Sequence, residues 1–263
     1  MDLKEQELLA ETLRKAMTSA TGRELDAALV ELGWPDMLAE IPDIAVPIVF
    51  RLLGETGVHA PLVNDVVLAA AGQPVGGTPA LPYAGGSWVV WDRDGEATGI
   101  LDAEVPLRKV ADGEPLSAAQ LAAGRRALGW WLVGTGRTML TLARSHVVDR
   151  VQFGRALASF QAVRHRLAET LVALEGAEAT LHAADTEFGA LLAKAAAGQA
   201  ALTAARHCGQ VLGGIGFTSE HDFHRHLKRA YLLDGLLGSS KELTREAGAH
   251  IRAERKAPRL MHL

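Results

Sequence analysis

Nine of the ten prolines in this chain lie at or before Pro115, and the tenth is Pro258. Proline lacks the N–H that a helix interior uses and its ring collides with the preceding turn, so it limits helix length. Between Pro115 and Pro258 nothing of that kind interrupts the chain. The stretch is also rich in Ala, Leu and Arg, which favour the helix. Long helices are therefore expected in the C-terminal half, and short pieces before it.

Three segments follow. Residues 1–72 read as helical: Asp2 and Glu5 can form a capping box ahead of Leu9, Leu13 and Met17, and short helices are divided at Trp34-Pro35 and Ile41-Pro42. Residues 73–114 are punctuated by glycines. Trp88 to Trp91, a turn at Asp94-Gly95 and residues Ala97 to Leu101 read as a vestigial β-hairpin that must lean on the helices. Residues 115–263 read as a bundle of four to five helices. The first spans about Ser117 to His146. The second carries Phe160, Val163, Leu167, Leu171, Leu174, Leu181 and Phe188 on one stripe. A third ends at Gly213-Gly214, a fourth is capped by Ser219 with Asp222, and a fifth begins near Ser239. The fold class is mainly α.

Several functions are disfavoured. A net charge of −4 leaves no footprint for nucleic acid. No apolar run reaches the roughly 18 residues of a membrane span, and the acidic start M-D-L-K-E-Q-E-L has no signal-peptide core, so a cytoplasmic protein is expected. The single Cys208 rules out an internal disulfide. His221, His224 and His226 do not converge on a helix, so no metal site is expected. Arg225, Lys228 and Arg229 read as a solvated helix face, with phosphate binding the alternative. His207-Cys208 reads as helix packing rather than a nucleophile pair, since no orienting acid accompanies it.

Two elements could carry chemistry. Arg150 closes a long helix just before Phe153-Gly154; its planar fork suits a pyrophosphate, although it would equally neutralise the negative end of its own helix. Gln161, one turn into the following helix, adds an amide that can reach polar cofactor atoms. Gln210 with Gly213, Gly214 and Gly216 offers close backbone approach, or simply a helix stop.

In order and spacing, R-x-x-F-G (Arg150 to Gly154), Phe160-Gln161, Q-x-x-G-G-x-G-F-T (Gln210 to Thr218) and the Leu237-Gly238-Ser239-Ser240 turn together resemble the acyl-CoA dehydrogenase family. The resemblance covers about 115 to 250 strongly and 1 to 72 weakly. It implies an FAD enzyme that desaturates the Cα–Cβ bond of an acyl-CoA thioester: a carboxylate takes the α proton and the β hydrogen leaves as hydride. It also implies FAD shared across a subunit interface, with Arg150, Gln152, Phe153, Leu157, Gln161, Gln210, Gly213 and Gly214 reaching the neighbour's cofactor.

The departures are as informative. The family's glutamate base falls on Leu237, and the alternative site, one residue before Arg125, is Gly124. Neither accepts a proton. Asp234 lies about a turn from the expected place and is the one outside candidate. The β-domain that walls in a flavin is reduced to 73–114. The expectation is a non-catalytic subunit of a heteromeric bacterial acyl-CoA dehydrogenase of the steroid or bulky acyl-CoA type, a heterotetramer in which a catalytic subunit supplies the base. The alternatives are a helical scaffold or acyl-CoA binder that has lost FAD, and a homomeric enzyme using Asp234.

Overall fold

A computed structural model of the chain describes residues 1–95 and 102–257. Ten α-helices and five short strands are found among them. Helices α1 (Leu3–Ser19), α2 (Gly22–Glu31), α3 (Trp34–Glu40), α4 (Pro42–Thr56) and α5 (Leu62–Ala69) come first. The Asp2/Glu5 capping box is formed, and Leu13 and Met17 are buried behind it. Pro35 and Pro42 sit in the first turns of α3 and α4, where a missing N–H costs nothing.

The β region is a three-stranded antiparallel sheet rather than one hairpin. Strand β2 (Ser87–Trp91) lies between β1 (Ala80–Tyr83) and β3 (Leu107–Val110). The turn that matters is Gly85-Gly86, which joins β1 to β2. The strand expected at 97–101 lies outside the described residues.

Helix α6 (Ala118–Asp149) has 32 residues, hence a length of about 48 Å, and opens with a second capping box, Ser117/Gln120. It crosses α4 at van der Waals contact of the two backbones. A Cβ added to Gly54 would overlap the Trp131 carbonyl, and one added to Gly134 the Arg51 carbonyl. After a short hairpin, α7 (Gln161–His182) and α8 (Glu187–Leu212) return along α6 as an antiparallel pair. α9 (Phe223–Gly235) and α10 (Ser240–Glu254) complete the bundle.

Two sequence expectations for the bundle need correction. The apolar series from Phe160 to Phe188 is not one stripe of one helix. α7 ends at His182, Thr186 caps α8, and Phe188 belongs to α8. Leu171 is exposed because ten residues of helix rotate it roughly 80° away from buried Leu181. Nor do Ser219 and Asp222 cap α9. Asp222 has helical backbone angles and makes no side-chain cap, so the Phe223 N–H donates instead to His221 Nδ1 (3.1 Å).

One apolar core joins all three parts of the chain. Trp91 of the sheet stacks on Trp131 of α6 (5.6 Å between centroids), and Phe50 of α4 meets Trp131 edge-on (5.8 Å). The sheet is also stitched to the end of α9: Tyr83 bridges Leu236, and the Leu237 N–H donates to the Pro82 carbonyl (2.8 Å).

Candidate functional site

That stitch leads directly to the two positions where a base was expected, and they touch. Leu237 is buried, with a left-handed backbone (φ 57°) that a branched side chain rarely adopts. Its side chain reaches α6 so closely that a Cβ built on Gly124 would overlap Leu237 Cδ1. Val67 of α5 closes the third side. The residue missing from one position makes room for the residue filling the other, and the result is an apolar wedge with no proton acceptor. Arg125 survives beside it but is buried and committed. Its Nε donates to the Leu237 carbonyl (3.2 Å) and its guanidinium pairs with Glu246 (3.5 Å).

Asp234 is turned the other way. Its Oδ1 accepts from the Ser240 N–H (3.1 Å) and lies where a Cβ on Gly198 would sit, so it packs against α8 and orders the start of α10. Sequence reasoning missed the residue that fixes this segment, Lys194 on α8. Fully buried, its ammonium donates to the Asp234 and Gly238 carbonyls on either side of Leu237. Burial pushes its pKa down to about 7, against the pull of Asp234. The signal was available: a lone lysine within L-L-A-K-A-A-A-G-Q-A-A, where a solvated helix would carry several charges.

The other candidates occupy one end of the bundle, where α6 stops, α7 starts and α8 stops. Arg150 is the C-cap residue of α6, exposed and without an ion pair among the described residues. Strands β4 (Val151–Gln152) and β5 (Arg155–Ala156) form a hairpin that the sequence reading took only for a helix break. Its two loop residues, Phe153 (φ 54°) and Gly154 (φ 77°), both take positive φ, the type I′ signature. Glycine accepts this readily; phenylalanine does not, yet its ring is 89% exposed. Phe160 meets Phe153 edge-on (6.1 Å), and the Arg155 guanidinium lies 4.1 Å from the Phe160 ring centroid. Leu157 is half-buried beneath the hairpin, while Gln152 and Gln161 are exposed.

Gln210 is exposed near the end of α8, and a 3-10 turn (Gly213–Phe217) follows with Phe217 79% exposed. A Cβ built on Gly213 or Gly214 meets nothing within 4 Å, so these glycines face open space rather than packing. Burial lowers the pKa of His146 on α6, and His221 and Arg150 both add to the effect.

The remaining readings divide. Arg229 is no solvated face residue. It is fully buried, its Nε donates to Asp102 (2.6 Å), and the half-exposed Arg225 pairs with Glu104 (3.1 Å), which leaves Lys228 as the member without an ion pair among the described residues. His207 is held by Thr170 (3.1 Å), and burial pushes the Cys208 thiol up to about 12. No group of three metal-ligating side chains occurs among the described residues, and no helix there is long and apolar enough to cross a membrane.

Comparison with known proteins fits this geometry. The profile of the acyl-CoA dehydrogenase C-terminal domain matches residues 111–251, more than half of the chain. The chain belongs to the acyl-CoA dehydrogenase family. It is 31% identical over 218 residues to the acyl-CoA dehydrogenase FadE34 of Mycobacterium tuberculosis, an alignment covering 73% of this chain and 31% of that protein. It is 38% identical over 123 residues to the acyl-CoA dehydrogenase IpdE2 of the same organism, covering 45% and 38%. The chain thus spans about a third of the length of the curated relatives it matches. The fold is that of the ChsE4–ChsE5 complex from Mycobacterium tuberculosis (TM-score 0.73, 18% identity, 98% of this chain and 99% of that one). It is also that of a Mycobacterium smegmatis glutaryl-CoA dehydrogenase in complex with FADH2 (TM-score 0.71, 17% identity, 98% and 96%). Within this family member, Arg150, Gln161 and Gln210 lie at the open end of the bundle, and Gly124 and Leu237 meet in the wedge.

Proposed function

We propose that this chain is the non-catalytic subunit of a heteromeric acyl-CoA dehydrogenase, completing an FAD site whose base belongs to a partner subunit. The observation that carries the reading is the contact of Leu237 with Gly124, which leaves neither position able to take a proton. The bundle end supports it from the other side. Arg150 is exposed and unpaired among the described residues, and Gly213-Gly214 stand clear of other atoms, as a surface meeting a planar, anionic cofactor needs. FAD, when bound there, supplies the hydride acceptor for α,β-desaturation of an acyl-CoA. Arg150 would neutralise phosphate charge, Phe153 would cover an apolar ring edge, and Gln152, Gln161 and Gln210 would hydrogen-bond polar cofactor atoms. Leu157 would support the hairpin that presents them. A neighbour in fold described as a steroid acyl-CoA dehydrogenase makes a bulky acyl-CoA the substrate class to try first.

The test is co-expression with a catalytic acyl-CoA dehydrogenase subunit. The expected product is a yellow heteromer that reduces a dye when given an acyl-CoA, and that loses flavin when this chain carries Arg150→Ala. A colourless mixture, or full turnover by this chain alone, overturns the reading; in the second case Asp234→Asn decides whether Asp234 acts as base.

A further inference from the structure

A recess lined by α4, α5 and α6 lies apart from both regions just described. It is a groove of about 610 Å3 between the start of α4, the end of α5, one side of α6 and the α7–α8 turn. That volume lies within the span of small-molecule pockets, which favour such junctions and pair apolar walls with a few polar groups. Here Val46, Val66 and Leu181 supply the apolar walls.

Trp130 decides the chemistry. Only 5% of its side chain is exposed, it lines the groove, and its ring stands edge-on to His182 (4.9 Å). Its indole N–H makes no hydrogen bond with any described residue. The other interior tryptophans differ: Trp34 donates to Asp65 (3.0 Å), and the Trp91 and Trp131 N–H groups are sealed from solvent. Unlike theirs, the Trp130 N–H is reached by solvent, so it is free to donate to a ligand acceptor in the groove. One turn earlier on the same face, Arg126 donates from Nη1 to the Ala184 carbonyl (3.1 Å) and makes no ion pair among the described residues. The mouth has the opposite sign, for Asp43 and Asp185 are exposed there and unpaired among the described residues. Two carboxylates outweigh one guanidinium, so an anion is disfavoured on entry, whereas an uncharged acceptor is not.

We propose that this groove binds an uncharged, compact molecule with a hydrocarbon body and one carbonyl oxygen, which accepts from Trp130 Nε1 and Arg126. The assignment does not depend on the flavin reading, since none of these residues belongs to the bundle end or the wedge.

Calorimetric titration of the intact chain with 1-adamantyl methyl ketone, and separately with adamantane-1-carboxylate, tests it. Saturable binding of the ketone is expected, with the carboxylate about fivefold weaker at neutral pH. Trp130→Phe should weaken the ketone about fivefold, the worth of one neutral hydrogen bond. Val46→Trp, which fills the groove, should abolish binding. The surface pair Asp43→Asn with Asp185→Asn should bring the carboxylate up towards the ketone. Should Trp130→Phe fail to fold, the groove-filling and surface variants still decide. Absence of saturable ketone binding, ketone binding indifferent to Val46→Trp, or a preference for the carboxylate each overturns the proposal.

Discussion

The two arginines beside the family signatures make an instructive pair. Arg125 is buried, with its guanidinium spent on the Leu237 carbonyl and on Glu246. Arg150 is exposed and makes no ion pair among the described residues. What surrounds them differs in the same way. Around Arg125 every gap is filled: Leu237 against Gly124, Lys194 across the Asp234 and Gly238 carbonyls, Tyr83 over Gly235. Around Arg150 there is a strained exposed phenylalanine and glycines that touch nothing. Both regions carry a non-glycine residue in the left-handed region, Leu237 (φ 57°) and Phe153 (φ 54°), but only Leu237 is buried by its neighbours. A region left open with its apolar area exposed fits the cofactor and subunit contact proposed above.

The largest expected effect is on pH dependence, and it belongs to the packed interior rather than the open end. His59 and His226 are buried near Arg229, both held down to about 4, by burial first and then by Arg229 and Arg225. Asp102 opposes this at His59 and Asp222 at His226. Their folded pKa values lie below the unfolded 6.5, so the unfolded chain binds more protons in between. Stability should therefore be intact above pH 6.5 and fall towards pH 4, by up to about 3 kcal/mol for each histidine. Urea melts across that range check it, and His226→Gln should flatten the dependence.

Next comes Leu237→Ala, expected to cost about 2–5 kcal/mol in chemical denaturation because it empties a buried site. Gly124→Ala should cost about 1–3 kcal/mol by overpacking the same contact. Combined, the two should cost less than their sum, since the shorter side chain clears space for the new methyl. Strict additivity would show that the wedge is not one contact.

The smallest effect belongs to the open end. Phe153→Gly should leave stability unchanged or raise it by up to about 1 kcal/mol, since glycine takes the left-handed turn without strain. The same change should weaken flavin retention in the heteromer. If it instead destabilises the isolated chain, Phe153 serves this fold and the contrast between the two ends fails.

Local chemistry was readable from the residues. The Asp2/Glu5 box, the proline-free run and the stops at Arg150 and Gly213 depend on neighbours within a turn or two, and helices formed where they indicated. What escaped was set by distant partners. β2 pairs with β3 across more than a dozen residues, and neither strand announces the other. Arg229 looked like a surface charge because the carboxylate that receives it lies 127 positions away in sequence, and Lys194 went unread because its carbonyl partners lie 40 and 44 positions away. At the candidate site, motif spacing located the residues but not their state. That Gly124 and Leu237 meet in space emerges only once α6 and the turn after α9 are packed together.

Cys208 offers a last, practical consequence. Its thiol is buried and held almost entirely in the protonated form, so maleimides and other alkylating probes should pass it by. The protein therefore provides a silent background for site-directed labelling. A cysteine placed at Gly214 would be the sole reactive sulfur among the described residues, and a dye attached there would report whether the proposed partner subunit docks at that end.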